Sequence, residues 1–183
     1  MEVTKTDFEG LYIIKPAIFS DSRGYFFESY NKIKYKELAI TSDFVQDNES
    51  MSSYGTIRGL HHQKGDFSQA KLVRVQQGVV LDTVVDIRKD SKTFGKYFSI
   101  ELSENNKLQL FIPRGFLHGF SVLSEKAVFC YKCDNYYNKS SETGVLWNDK
   151  DLNIDWKIEK GKEIISEKDS KNYTFKDFIN NVL

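Results

Sequence analysis

The sequence predicts a mainly β protein, an antiparallel sandwich or barrel with few helices. Three observations carry that expectation. The middle of the chain breaks into short apolar stretches at close spacing, separated by Ser, Glu, Asn and Gly. Those stretches alternate with a period of two, at which side chains leave a strand on opposite faces. Aromatics reach 14%, with 14 Phe and 10 Tyr, which suits the pleated, half-buried surface of a sheet.

Each element follows from its pattern. Residues 70–76 (AKLVRVQ) alternate and end at a Gln77-Gly78 turn. Residues 79–87 (VVLDTVVDI) alternate again, with Val79, Leu81, Thr83, Val85 and Ile87 sharing one face. Further strands are expected over 96–102, 108–112, 118–123 and 127–133. Residues 31–38 can form a short helix. A C-terminal helix has a stronger signal: Thr174 with Asp177 makes a capping-box pattern, and Phe175, Phe178, Ile179 and Val182 form one apolar face. That helix is expected on the outside of the β core.

At 183 residues the chain suits one domain with a substantial core, 1–183. The barrel core is expected over about 10–160 and the C-terminal segment with its helix over about 161–183. Lys+Arg and Asp+Glu each number 26, so the basic excess of a general nucleic-acid binder is missing, although a few local Arg can still hold a small anion. No apolar run reaches the roughly 20 residues of a membrane span, and the start lacks the apolar segment of a signal peptide. Two Cys permit one bridge at most, so a cytoplasmic protein is expected.

Candidate chemistry comes from alternation. Lys71 shares a face with Val73 and Val75, Tyr131 with Ala127 and Phe129, and His118 with Phe120 and Val122. A Tyr or His on such a face is ordinarily a satisfied core residue, and the lysine has the outer face open to it. The case therefore rests on convergence. The three histidines are His61, His62 and His118. On a regular strand His61 and His62 face opposite ways. Cys130-Tyr131-Lys132-Cys133 is a C-x-x-C, but positions i and i+3 of a strand diverge, so structural cysteines are expected. Asp149/Asp151 and Asp82/Asp86 read as turn and surface carboxylates. Gly-rich phosphate loops are absent, which excludes P-loop kinase and dinucleotide dehydrogenase readings.

The run Pro113-Arg114-Gly115-Phe116-Leu117-His118 has the P-x-G-x-x-H spacing and resembles the second motif of the cupin superfamily. The first cupin motif normally offers H-x-H; here the pair is His61-His62, so the usual metal ligands are not at their usual spacing. The fold expected is thus a cupin-like antiparallel jelly-roll barrel with short flanking helices and a C-terminal helix, holding no metal.

Longer segments narrow the resemblance. FSDSRGYFFES, FVQDNES, GTIRGLHHQ, QAKLVRVQQGVV, VVDIRKDSKTFG, LSENNKLQLFIPRGFLHGF, SSETGVLWND and ISEKDS occur in order between about residues 8 and 170. Together they resemble the dTDP-4-dehydrorhamnose 3,5-epimerase family. The resemblance implies cofactor-independent epimerisation at C3 and C5 of dTDP-4-dehydro-6-deoxy-D-glucose, through an enolate. It implies His61 as general base, oriented by Asp169, Tyr131 as general acid on the opposite face of the sugar, and Lys71 as stabiliser of the enolate oxygen. Arg23 and Arg58 would hold the diphosphate, and Glu28, Gln46 and Asn48 the nucleoside. His118, Glu142 and Lys168 fall on further substrate-contacting positions. Position 62, commonly aromatic in the family, is His here. The implied partners are a dTDP-linked sugar and a second copy of the chain, a homodimer with N-terminal strands crossing between subunits. Alternatives are a metal-dependent cupin isomerase or oxygenase, a sugar-nucleotide binding module without catalysis, and an epimerase that inverts one carbon of another deoxy sugar.

Overall fold

The structure, a computed structural model, describes residues 1–38 and 40–183. In chain order the elements are β1 (Glu2–Lys5), β2 (Tyr12–Lys15), β3 (Ile18–Asp21), β4 (Gly24–Phe27), α1 (Lys32–Glu37), β5 (Gln46–Ser53) and β6 (Ile57–Gln63). Then come β7 (Lys71–Gln77), β8 (Val79–Asp86), β9 (Tyr97–Ser103), β10 (Gln109–Ile112), β11 (Phe116–Val122), β12 (Lys126–Cys133), β13 (Glu142–Gly144) and α2 (Phe175–Asn181). One sheet has the order β1-β2-β10-β7-β12-β5 and the other β13-β6-β11-β8-β9, while β3 and β4 form a separate two-stranded ribbon. Every strand pair in them is antiparallel. This is the mainly β barrel that the sequence predicts.

All six strands expected in the middle of the chain form, within two residues of their predicted bounds. The Gln77-Gly78 turn does more than close a hairpin. Strands β7 and β8 belong to different sheets, so Gly78 turns the chain across the barrel. Its φ is +80°, and a Cβ there would lie 2.1 Å from the Lys126 carbonyl oxygen, so glycine alone fits the corner.

The inner faces make one core. Val73 and Val75 of β7, Val80 and Val84 of β8, Phe116, Phe120 and Val122 of β11, and Ala127 and Phe129 of β12 pack there. Fully burying a Val or Phe side chain stabilises by about 1.5–3 kcal/mol, which makes this cluster the main support of the barrel. The second sheet is covered on its outer face as well. Leu60, Val85, Ile87 and Leu117 meet Leu152, Trp156, Phe175 and Phe178. Helix α2 therefore sits outside the β core, as its apolar face predicts. Thr174 caps it by accepting from the Asp177 N–H. On the outer face of the first sheet, Tyr35 of α1 is buried against Ile14, Leu72 and Phe111, and its hydroxyl donates to Gln109 Oε1 at 2.8 Å.

Three of the four aspartates read as turn and surface groups are buried. Asp82 and Asp86 are 0% exposed and Asp149 7%; only Asp151 lies at the surface. The pairing of β8 on both sides, with cores on both faces, leaves no solvent for its carboxylates. Asp86 compensates by accepting from Arg88 Nη2 at 2.7 Å and from Ser91 Oγ and Thr93 Oγ1 at 2.6 Å each. Burial raises its pKa, but these bonds outweigh it and leave it near 2. Asp149 Oδ2 accepts from Phe175 N at 2.8 Å, which satisfies an orphan N–H in the first turn of α2.

Candidate active site

The site is built on the inner faces of the two sheets. Alternation along β7 brings Lys71 inward with Val73 and Val75, and along β12 brings Tyr131 inward with Ala127 and Phe129. On the facing sheet, His118 lies directly opposite His61 in the β11–β6 pairing. The next matched pair on those strands is Phe120 with Arg58, so three steps on β6 span two on β11. This bulge at Gly59-Leu60 changes the parity of β6. Without it, Arg58 and His61 would face opposite sides; with it, both reach the lumen side. Glycine is required at the bulge: Gly59 has φ +128°, and a Cβ would come within 2.6 Å of Gly119 Cα.

A hollow of about 310 Å³ is bounded by Gln46, Asn48, His61, Lys71, Tyr131 and Glu142. A second, of about 640 Å³, adjoins it at His61 and is bounded by Ser52, Arg58, Lys168 and Asp169. His61 Nε2 meets Asp169 Oδ1 at 2.6 Å. Asp169, almost wholly buried, also accepts from the Gly59 N–H at 3.4 Å. Burial raises its pKa, but the bond to His61 and the other donors outweigh that and leave it below the usual carboxylate value. The carboxylate therefore holds one ring nitrogen of His61. The other, Nδ1, has no hydrogen-bond partner among the described residues and is free to act as a base.

Burial sets the direction for Tyr131 and Lys71. It pushes the Tyr131 phenol up, further than Arg58 pulls it down, so the hydroxyl keeps its proton. It pushes the Lys71 ammonium down, against the opposing pull of the Asp82 and Glu142 carboxylates. The ammonium lies 5.6 Å from the centre of the Tyr131 ring. Glu142 binds Lys168 Nζ at 2.5 Å and accepts from the Tyr137 hydroxyl at 2.7 Å. Gln46 Nε2 donates to Asn48 Oδ1 at 3.0 Å, and Gln46 Oε1 accepts from the Tyr137 N–H at 3.0 Å.

His61, Lys71, Tyr131, Asp169, Gln46, Asn48, Arg58, Glu142 and Lys168 thus come together around two joined hollows. Arg23, Glu28 and His118 do not border either. Arg23 stands in the β3–β4 turn, 88% exposed at its side chain and paired with Asp21 at 2.6 Å. Glu28 is tied to Lys34 at 2.9 Å beside α1. His118 points into the barrel interior without bordering a hollow, its Nε2 2.9 Å from Asp82 Oδ2 and its ring stacked on Phe129. His62 turns its ring away as expected, its Nδ1 bonding the Phe116 carbonyl and its ring meeting Phe178 edge-on, while the residue still borders the first hollow.

Some lumen residues escaped the sequence reading. Gln63 follows His61 by two and so shares its side; Asp82 lies between the inward Val80 and Val84. Both were legible from alternation once the inward face was known. Cys133 faces in, where burial pushes its thiol up to about 11, and Cys130 faces out toward Glu49 and Gln76. Both are free thiols. Among the described residues, no three His, Cys, Asp or Glu gather as a metal-ligand set.

A carboxylate-held imidazole and a protonated phenol on opposite walls of one cavity, with a lysine beside the phenol on the neighbouring strand, define an acid–base isomerase of the β-barrel type. The profile of the dTDP-4-dehydrorhamnose 3,5-epimerase family matches residues 5–177. The dTDP-4-dehydrorhamnose 3,5-epimerase of Shigella flexneri is 47% identical over 97% of both chains. The crystal structure of the enzyme from Elizabethkingia anophelis superposes with a TM-score of 0.93 at 57% identity, covering 97% of both chains. That of a dTDP-6-deoxy-D-glucose-3,5-epimerase from Legionella pneumophila, in complex with dTDP-4-keto-L-rhamnose, has a TM-score of 0.92 at 43% identity, covering 100% of this chain and 94% of that one. The chain belongs to the dTDP-4-dehydrorhamnose 3,5-epimerase family.

Proposed function

We propose that this chain epimerises C3 and C5 of dTDP-4-dehydro-6-deoxy-D-glucose, giving dTDP-4-dehydro-L-rhamnose, with His61 as base and Tyr131 as acid. The observation that carries this reading is the placement of His61, bound to Asp169 at 2.6 Å, across one cavity from Tyr131. A 4-keto sugar has acidic C–H bonds at C3 and C5, each beside the carbonyl. Inversion requires that the proton leave from one face and return to the other. A lone base returns most protons to the face they left. His61 Nδ1 takes the proton, Asp169 stabilises the imidazolium, and the Tyr131 hydroxyl supplies a proton to the opposite face of the enolate.

Lys71 offers its ammonium to the enolate oxygen inside a poorly hydrated wall, an effect of about 3 kcal/mol by analogy with oxyanion donors. The transfers move protons and leave the oxidation state unchanged, so the reaction as derived asks for no redox cofactor. Arg58 and Lys168, around the second hollow, suit the diphosphate. Gln46 and Asn48 suit the nucleoside side.

The functional unit we infer is a homodimer. The β3–β4 ribbon pairs with neither sheet of its own chain and exposes Phe19, Tyr25 and Phe26. Inserted against a second copy, it would bury those rings and carry Arg23 toward the partner's diphosphate. Among the described residues no helix is long and apolar enough to cross a membrane. Two free thiols suit a reducing compartment, in keeping with a cytoplasmic enzyme.

The test is incubation of EDTA-treated protein with dTDP-4-keto-6-deoxyglucose in D₂O, with deuterium followed by NMR. Incorporation at C3 and C5 is expected. Incorporation at one carbon would make this a single-site epimerase, and none would overturn the substrate assignment.

A further inference from the structure

The lumen contains a second Asp–His pair that the reaction above does not use. Asp82 projects from β8 between Val80 and Val84, both core residues, and is 0% exposed. Its Oδ2 lies 2.9 Å from His118 Nε2. Its Oδ1 is buried with no hydrogen-bond partner among the described residues. A carboxylate oxygen left unpaired in an apolar core costs several kcal/mol unless a charge nearby compensates it.

His118 donates a hydrogen bond but supplies no charge, because burial pushes its pKa down further than Asp82 raises it. Lys71, on the facing sheet, makes no ion pair within 4 Å among the described residues. Two opposite charges therefore stand unpaired in one lumen, with the His118 ring held on the carboxylate.

We propose that Asp82 is a positioning residue, the fixed counter-charge that keeps Lys71 an ammonium in the barrel lumen and that holds the His118 ring through Nε2. The inference rests on Lys71 as the enolate's partner. Burial pushes Lys71 toward the neutral amine, a poorer partner for a developing oxyanion. Other groups face the lysine. Cys133 lies directly opposite it on β12, and Glu142 comes from β13. Cys133 is protonated at neutral pH, and Glu142 is already engaged by Lys168 and Tyr137. Tyr131 offers a ring face, and His61, His62 and His118 add no negative charge. Asp169 spends its charge on His61. Asp82 is left as the carboxylate without a cation of its own.

The experiment is the pH profile of kcat/KM for Asp82→Asn beside the wild type. The expected result is an alkaline limb moved down by about one pH unit, an acid limb unmoved, and KM nearly unchanged. Burial pushes Cys133 up to about 11 and raises Tyr131 as well, so the readout is the displacement of the limb by Asp82→Asn. An alkaline limb that stays in place overturns the proposal, whatever happens to the rate, since a purely structural aspartate would lower stability without moving it.

If Asp82→Asn fails to fold, the wild-type enzyme decides. The ¹³Cε resonance of Lys71, assigned by its loss in Lys71→Arg, should report a charged amine at pH 8, and a neutral amine there overturns the proposal. Failure of the reaction itself would show separately, as wild-type enzyme that exchanges no deuterium at C3 or C5.

Discussion

The lumen of the barrel and the β3–β4 ribbon invert each other's chemistry. In the lumen, Asp82, Lys71 and His118 stand among valines and phenylalanines, with Asp82 0% exposed. On the ribbon, Phe19 and Phe26 are 64% and 68% exposed. Most Leu and Val elsewhere lie inside and most Lys and Glu outside, although Asp86 and Asp149 are buried as well. The lumen and the ribbon depart from that partition for different reasons. In the lumen, buried charge can act on a ligand, because a low-dielectric wall strengthens its field. A cluster of exposed rings marks a surface meant for another surface.

The largest effect expected belongs to the lumen. His61→Ala should lower kcat/KM by about 10³–10⁴-fold while leaving the thermal midpoint nearly unchanged; near-normal turnover would remove His61 from its role. Tyr131→Phe should lose inversion to a similar degree yet still exchange substrate protons with solvent. Full inversion by that variant would break the assignment of two walls to two proton transfers.

The comparison also needs a buried carboxylate that serves structure alone, and Asp86 provides one. Asp86→Ala leaves Arg88, Ser91 and Thr93 without their acceptor and should cost about 3 kcal/mol in urea unfolding, with kcat unchanged once folded. Its folded pKa, near 2, is below the unfolded value. Its stabilisation is therefore complete above about pH 4 and is lost as pH falls toward 2. A variant as acid-resistant as the wild type over that window would contradict this.

On the ribbon, Phe19→Ser with Phe26→Ser should weaken self-association by about 10–100-fold in sedimentation. Activity should fall with dilution as Arg23 leaves the partner's site. A variant that stays dimeric would separate the exposed rings from assembly.

The smallest effect comes from His62, which burial holds neutral to about pH 4. Because its folded pKa lies below the unfolded value, its penalty is absent above about 6.5 and grows as pH falls toward 4. At pH 5.5 it should reach about 1 kcal/mol. His62→Phe, keeping the edge-on contact with Phe178, should flatten the fall in thermal midpoint between pH 7 and 5.5. An unchanged slope would place the acid sensitivity elsewhere.

Part of the site was legible before any coordinates. Alternation put Lys71, Tyr131 and His118 on the faces of their apolar neighbours, and those faces are the inner ones. Strand β5 shows the limit of that signal. Its sequence, QDNESMSS, has one large apolar residue, Met51, which points out at 64% exposure. Opposite the inward residues of β12 lie Gln46, Asn48, Ser50 and Ser52. A wall built to meet a polar ligand has no hydrophobic stripe, so periodicity passes over it. The aspartates of β8 misled for a related reason: charge predicts exposure unless the fold covers both faces of the strand.

What the sequence determined by itself is local: which side chains share a face, where the chain must turn at Gly78, and how Thr174 starts the last helix. These depend on bonds between near neighbours. The tertiary structure decided which faces meet. It set Asp169 against His61 across 108 residues and Asp82 against His118 across 36. It also shifted the register at Gly59-Leu60 so that Arg58 and His61 serve one cavity. Strand order and a single bulge control those outcomes, and both arise from the packing of two sheets on a common core, which no short stretch of sequence contains.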